Sequence, residues 1–312
     1  MKISKLSFIF CCIVSVAAVA SSQEKDVLPD VPDGAQAVSL LGAPLFPIEP
    51  NEKVLSNLEK AREEFESDPD NADKIIWYGR RIAYTGDYRE AILVFAGGIE
   101  KFPDDARFYR HRGHRYISIR ELDRAIRDLE EAARLIRGKE DKIEPDGIPN
   151  AKNIPLSSLH RNIWYHLGLA YYLENDMENA LRIYRKGIAA STYDDNIVST
   201  THWLYMTLRR LDRPDEAQKA LNEIHVDMDI IENMAYHKLC LFYKGELTLE
   251  SLANPELSNI ENDAVAYGIG NWFLVNGQRD KAKAVYEKVL RNKGWSSFGY
   301  VAAEADSVRE FN

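Results

Sequence analysis

The sequence predicts an all-α fold of stacked helix-turn-helix units, because one helical pattern recurs along the chain at a fixed period. The pattern is clearest in NIWYHLGLAYYLENDMENALRIYRKG, residues 162–187. Apolar residues recur there at i, i+3, i+4 and i+7 on both sides of the polar break Glu174-Asn175-Asp176, as on one face of each of two helices. Gly168 and Ala180 occupy the expected point of closest helix crossing, where a larger side chain would push the backbones apart.

The period is visible in residues 72–137, where two units follow each other in register. Gly113 follows Gly79 after 34 residues, which is the length of one helical-hairpin repeat. The third unit is the one at 162–187. The remaining units are built on Trp203, Leu204, Leu208, Ala217 and Leu221, with Tyr205 in place of the glycine, and on Gly270, Phe273, Gly277, Ala282, Tyr286 and Val289. Five units exceed the minimum of about three that a stable stack needs.

Residues 1–20 predict a signal peptide. Lys2 and Lys5 precede the apolar run Leu6 to Ala20, and Ala18-Val19-Ala20 has the small residues that signal peptidase recognises. We expect cleavage before Ser21 and export to the periplasm or the extracellular space. An apolar run of this length is short for a membrane-spanning helix, so membrane contact is expected only if the segment stays uncleaved.

A lipid anchor is the alternative fate of this segment, on Cys11 or Cys12. Phe8-Ile9-Phe10 precedes these cysteines, however, and lacks the small residue that a lipoprotein signal places there. Removal of residues 1–20 leaves Cys240 alone, so the exported chain is expected to contain no intramolecular disulfide. The apolar surroundings of Cys240 predict a buried, inert thiol.

The remaining segments separate or cap the units. Residues 21–50 contain five prolines, which favour an extended segment, and residues 51–69 predict a capping helix. Residues 138–160 interrupt the array with an insertion of three prolines and no helical or strand period. The array resumes over residues 161–312 with units three and four, a degenerate helix pair at 229–252, the last unit and a C-terminal capping helix at 296–309.

The motif W-x2-L-G-x2-Y, followed by A-x3-Y, resembles the tetratricopeptide repeat (TPR) family. The resemblance implies a right-handed superhelical solenoid of helix-turn-helix units, with terminal capping helices, that mediates protein–protein interaction. The stretches YRHRGHRY, TTHWLYMTLRR and MDIIENMAYHKL are also similar to a group of exported bacterial TPR proteins. That similarity supports the architecture and adds no mechanism.

In TPR proteins the first helix of each unit lines a concave groove, and the family register assigns thirteen residues of this chain to it. They are Arg80, Tyr84, Arg107, Arg110, His114, Asn162, Tyr165, Tyr172, His202, Arg209, Arg210, Tyr267 and Asn271. The set is rich in arginine, histidine and tyrosine although the protein is acidic. Arginine binds carboxylates with two parallel hydrogen bonds, so the register implies a protein or peptide partner with acidic or carboxylate groups. The alternative is that these side chains form solvated helix faces or internal ion pairs.

Two other functions remain open at this point. The first is a binder of an anionic glycan or small molecule. The second is an enzyme acting on cell-wall or polysaccharide material, with Glu144 and Asp146 of the insertion as acid and base, which would require a fixed carboxyl separation. A deep closed pocket would favour either one over an open peptide groove.

Several site classes are not expected. The formal net charge of −9 argues against a nucleic-acid partner. His111 and His114 are spaced for one face of a helix but lack a third ligand, so we expect no metal and no cofactor. The carboxylate clamp of chaperone-binding TPR domains uses lysine and asparagine where this chain has Ile76 and Arg80, so that ligand is not implied.

Overall fold

The computed structural model describes residues 28–252 and 260–311. The predicted signal peptide, with Cys11 and Cys12, lies outside the described residues. None of the described helices is both long and apolar enough to cross a membrane.

The described chain is almost entirely helical and forms stacked hairpins, which confirms the predicted fold class. Two short antiparallel strands, β1 (Ala37–Val38) and β2 (Pro44–Leu45), precede α1 (Glu52–Ser67). The hairpins are α2–α3 (Ala72–Tyr84, Tyr88–Lys101), α4–α5 (Ala106–Ser118, Leu122–Leu135), α6–α7 (Leu159–Leu173, Met177–Ala189), α8–α9 (Asp194–Arg210, Pro214–Ala220), α10–α11 (Met234–Lys244, Leu249–Leu252) and α12–α13 (Ile260–Val275, Arg279–Val289). Helix α14 (Phe298–Phe311) follows them.

Each hairpin turn contains one residue in the left-handed backbone region. Gly86 and Gly277 supply it without steric cost in the first and last complete units. Arg120, Asn175 and Asp212 adopt the same positive φ in the units between them. Each of these five residues comes seven positions after the glycine position of its unit, which for Asp212 is Tyr205. The turn therefore fixes the register of the fourth unit, which its sequence leaves weak.

Helix crossing within a hairpin depends on a glycine in the first helix. A Cβ atom at Gly168 would lie 2.6 Å from Cε1 of Tyr184, and one at Gly79 would lie 2.5 Å from Cε1 of Phe95. Gly113 faces Leu129 in the same way, and Gly270 faces Tyr286, always 16 residues further along. The repeated contact confirms that these glycines allow close approach of the two helices.

The fourth unit replaces this contact with a different one. Tyr205 occupies the glycine position and is buried, and its ring stacks on Tyr243 of α10 with centroids 4.2 Å apart. Helix α10 of the next hairpin therefore packs against the tyrosine ring that replaces the glycine in this unit. Cys240, on the same helix as Tyr243, is buried as expected, and burial raises the pKa of its thiol.

The N-terminal strands tie two distant parts of the chain together. The backbone N–H of Arg89 donates to Oε1 of Gln36, so the segment contacts the first hairpin. Nε1 of Trp295 donates to the carbonyl of Phe46, and the N–H of Leu40 donates to Glu304 of α14. The segment 35–48 thus lies against both the first hairpin and the residues around α14.

The glycine contact generates a stability prediction. Gly168→Leu should lower the free energy of unfolding by about 1–3 kcal/mol, because the added side chain overlaps the buried ring of Tyr184. Gly97→Leu is the matched control, since Gly97 lies within α3 with no other atom near its Cβ position. The control should be neutral or stabilising by up to about 1 kcal/mol, because leucine favours helix more than glycine does. Urea denaturation measures both, and equal stability of the two variants would contradict the assigned crossing.

Candidate functional site

The first helices of the hairpins form one face of the stack, called here the inner face, and the thirteen predicted groove residues all lie on these helices or at their ends. Eight of them are buried: Arg80, Arg110, Asn162, Tyr165, Tyr172, His202, Tyr267 and Asn271. The other five are partly buried. The expectation of an open groove therefore differs from the structure, in which other parts of the same chain cover this face.

The insertion covers the inner face at the first three hairpins. Nη2 of Arg80 donates to the carbonyl of Pro145 at 2.8 Å, and Tyr84 lies against Gly147 so closely that a Cβ there would overlap its hydroxyl. Nε of Arg110 lies 3.2 Å from Oε2 of Glu144. These contacts fix the insertion in one position on helices α2 and α4.

Glu144 is the centre of this contact. Its carboxylate accepts a hydrogen bond from Nδ2 of Asn162 at 2.9 Å and lies 3.2 Å from Nε2 of His111. Burial acts to raise the pKa of Glu144, but the charge of Arg110 and the contact with His111 outweigh it, so that the pKa lies well below its usual range. A carboxyl that is ionised and enclosed in this way is unsuited to donate a proton. The contacts of Glu144 therefore do not support a role as a catalytic acid.

Helix α14 covers a second part of the inner face. Oδ2 of Asp306 accepts hydrogen bonds from the hydroxyls of Tyr267 at 2.9 Å and Tyr286 at 3.1 Å, and it forms an ion pair with Arg210. Nε of Arg210 also donates to Oδ1 of Asn271 at 2.7 Å. Asp306 is completely buried, and its carboxylate also pairs with Arg309 of the same helix.

Two further contacts hold α14. Nε of Arg120 donates to Oε2 of Glu304 at 2.7 Å, and both side chains are buried. The ring of Phe298 packs against His114 and His166, with centroids 5.4 and 5.6 Å away. Thus α14 does more than cap the last hairpin, because it also contacts the second and third hairpins.

The remaining predicted residues join different repeats of the array. Nε1 of Trp203 donates to the hydroxyl of Tyr165 at 2.9 Å, and the hydroxyls of Tyr172 and Tyr267 lie 2.7 Å apart. The ring of His202 stacks on Tyr243. Arg209 donates to Asn276 at 3.0 Å. These side chains thus make contacts within the protein, as in the alternative interpretation of the thirteen residues.

Arg107 differs from the other twelve because it lines an open cleft. The cleft is about 1100 Å³ and lies between the start of α4 and the insertion. We call it the insertion cleft; its apolar lining includes Phe102, Ile143 and Leu159. Arg107 pairs there with Asp105 and Asp73. The insertion cleft is therefore an open cavity that one of the thirteen predicted residues lines.

Family comparison agrees with this repeat structure. Residues 79–140 and residues 162–192 match family models described as Tetratricopeptide repeat. The chain contains tetratricopeptide repeats. No curated protein matches it.

Several solved structures are similar to this TPR protein. A TPR protein from Parabacteroides merdae is 14% identical, with 80% of this chain and 92% of that chain covered and a TM-score of 0.46. YrrB, described as a TPR protein with an unusual peptide-binding site, is 14% identical over 78% of this chain and 98% of its own, with a TM-score of 0.43. MamA is 16% identical over 63% and 87%, with a TM-score of 0.42.

The partners of the inner-face arginines were the part of this TPR protein that sequence reasoning missed. The sequence AAEAD in α14 places Glu304 and Asp306 within a run of alanines. Carboxylates inside an otherwise apolar helix are a signal for buried ion pairing, because charged groups are rarely buried without a partner. That signal was available, but it does not say which arginines meet these groups.

Removing one partner of the α14 contact should destabilise the TPR fold strongly. Asp306→Asn removes the nearer carboxylate from the largely buried Arg210 and leaves it only Glu310, 3.7 Å away, so we expect a loss of about 3 kcal/mol. Glu287→Gln removes an exposed carboxylate from α13 and should change stability by less than about 0.5 kcal/mol. Thermal and urea denaturation measure both. Wild-type stability of Asp306→Asn would show that the pair contributes little.

Buried neutral histidines should make the protein sensitive to acid. Burial lowers the pKa of both His111 and His202 to about 3, and the charge of Arg110 adds to the effect at His111. The unfolded chain protonates these groups below about pH 6.5, whereas the folded chain does not until about pH 3. Stability should therefore fall as the pH drops through 6.5, and further below about 4.3 as the unfolded chain protonates Glu144.

The measurement is the melting temperature at neutral pH and at successively lower pH values. His111→Gln removes one of these groups and should flatten the decline between neutral pH and pH 5. His225→Gln, which changes an exposed histidine, should leave the slope unchanged. Identical slopes for the two variants would contradict the assignment to His111.

Proposed function

We propose that this TPR protein is an exported scaffold that binds a segment of a partner protein in the insertion cleft. TPR repeats are protein-interaction modules, and this coarser function follows from the family. The finer proposal concerns where the partner binds. Export is supported by the pattern of residues 1–20, in which two lysines, an apolar run and a small-residue cleavage sequence follow one another.

One observation carries the choice of site. The insertion is held on the first helices by Arg80, Arg81 and Glu144, and it leaves beside itself an open cleft of about 1100 Å³. A surface whose conformation is fixed before binding costs less conformational entropy when a partner arrives. The cleft is slightly larger than the range for small-molecule sites, about 300–1,000 Å³, and its open form suits a polypeptide segment.

The lining of the cleft suits a protein partner. Ile143 is 63% exposed, and Ile148, further along the insertion, is 73% exposed. Exposed large apolar side chains on a fixed loop provide contact area for a partner. Charged residues of both signs line the cleft, and of its cations Lys101 pairs with Asp70 and Arg107 with Asp105 and Asp73.

The thirteen inner-face residues acquire a different role under this proposal. Twelve of them position the insertion, α14 and the neighbouring repeats, so that they shape the site without contacting the partner. Arg107 remains a proposed partner contact, because it is partly exposed in the insertion cleft. A glycan-binding or enzymatic role receives no comparable support from the contacts of Glu144.

Partner capture tests the proposal. The mature chain from Ser21 onward, immobilised, should retain a specific protein from the envelope fraction of the source organism. Ile143→Asp should weaken that binding about tenfold or more, because it places an unpaired charge at the centre of the contact. Val226→Asp is the matched control, since Val226 is 74% exposed and does not line the cleft.

Circular dichroism must first show that both variants retain the fold. A protein captured by the parent and by Val226→Asp but lost with Ile143→Asp would support the insertion cleft. Equal capture by all three chains would place the partner elsewhere, and capture of nothing by the parent would contradict the scaffold proposal.

A further inference from the structure

A second open cleft adjoins the base of the insertion, between the second helices α5 and α7. It has a volume of about 450 Å³ and is floored by residues of α6. We call it the basic cleft, because five of its lining residues are arginine or lysine: Arg134, Arg137, Lys139, Arg182 and Lys186. Its walls come from second helices and the segment after α5, and its floor comes from a first helix, α6.

The floor of the basic cleft is apolar and fixed. Trp164 is partly buried and packs against the core cluster that contains Ile136 and Ile163. Leu167 and Ile183 complete the floor and are buried. A large apolar side chain placed here would contact an aromatic ring and two aliphatic side chains that do not need to move.

The rim of the cleft carries positive charge that, apart from Arg134, no carboxylate of the described residues pairs with. Arg137 and Lys139 make no ion pair with any described residue. Nζ of Lys186 lies 4.8 Å from the ring centroid of Trp164, and Arg182 donates only to the neutral amide of Asn179. The protein as a whole has a formal net charge of −9, so this local cluster of positive charge has the opposite sign.

The acidic residues nearby leave most of this charge free. Glu130 is the one carboxylate in the lining, and it accepts a hydrogen bond from the hydroxyl of Tyr171. Glu131, outside the lining, pairs with Arg134 through two hydrogen bonds of 2.7 and 2.6 Å. Arg137, Lys139, Arg182 and Lys186 therefore face the cleft without a carboxylate of their own.

The basic cleft adjoins the insertion cleft. Ile136, Lys139 and His160 line both. A residue of an extended chain advances about 3.3 Å, so one segment of moderate length can occupy both clefts in succession. The two clefts are thus parts of one continuous surface around the base of the insertion.

We infer that the basic cleft binds an acidic segment of the partner that carries one large apolar or aromatic side chain. The apolar side chain packs on Trp164, and the flanking carboxylates pair with Arg182, Lys186 and Arg137. This inference rests on the proposed scaffold function and specifies the chemistry of the partner. A nucleic acid fits less well, because its phosphate backbone needs a broad basic surface and the cleft is small with an apolar floor.

Fluorescence anisotropy with the mature chain tests the inference directly. The probe is a fluorescein-labelled oligoglutamate peptide with one central phenylalanine. Comparison peptides replace the phenylalanine by alanine or the glutamates by lysine, and a labelled oligothymidylate tests for nucleic acid. At low ionic strength the glutamate–phenylalanine peptide should bind most tightly, and added salt should weaken it.

Paired charge reversals locate the binding site. Arg182→Glu combined with Lys186→Glu should weaken binding about tenfold or more, because attraction becomes repulsion at the cleft rim. Lys283→Glu combined with Lys288→Glu makes the same change of charge on the exposed face of α13 and should alter binding by less than about twofold. Both double variants lie on exposed surfaces, and circular dichroism checks that they fold.

Each outcome decides a part of the inference. Equal loss in both double variants, or no binding by the parent, would overturn it. Equal binding of the alanine peptide would overturn the role of the apolar floor, and oligothymidylate binding with the same dependence on Arg182 and Lys186 would replace the peptide by a nucleic acid. Peptide binding in the basic cleft, together with unchanged partner capture by Ile143→Asp, would retain this inference and contradict the insertion-cleft proposal.

Discussion

Buried ion pairs between the repeats and the segments that cover them are the interaction on which the rest of this structure depends. Arg110, Arg120 and Arg210 lie on the inner face or directly beside it, and their counter-charges are Glu144, Glu304 and Asp306. An arginine in a largely buried site is costly unless a carboxylate accompanies it. The hairpins alone would leave these arginines without such partners, so the insertion and α14 are integral to the fold rather than additions to it.

The covering of the inner face changes where this TPR protein meets other molecules. A groove formed by first helices is the surface that repeat arrays commonly offer to a ligand. Here the acidic groups expected of a ligand are supplied by the chain itself, at Glu144, Glu304 and Asp306. The open clefts lie beside the insertion and between second helices, on surfaces that the repeat register identifies only through Arg107.

Sequence was sufficient for the repeats because their determinants are local. Gly168 and Tyr184 are separated by one turn between two helices, and the contact recurs with the same spacing in other units. The site could not be predicted in the same way, because its contacts join residues that are far apart in sequence. Arg120 and Glu304 are 184 positions apart, and nothing in either local sequence identifies the other. Residue type alone also does not distinguish a buried arginine such as Arg110 from an exposed one such as Arg137.

The N-terminal strands impose an order on folding. The contact between Leu40 and Glu304 spans 264 residues, and that between Phe46 and Trp295 spans 249. An array of hairpins is otherwise built from local contacts, which form rapidly, whereas contacts at large sequence separation form slowly. A chain that emerges from its N-terminus first, during synthesis, presents the segment 35–48 long before Trp295 and Glu304 are made. The apolar side chains of this segment therefore cannot complete their contacts until Trp295 and Glu304 have been synthesised. Docking of the segment is thus a late step in the folding of this protein.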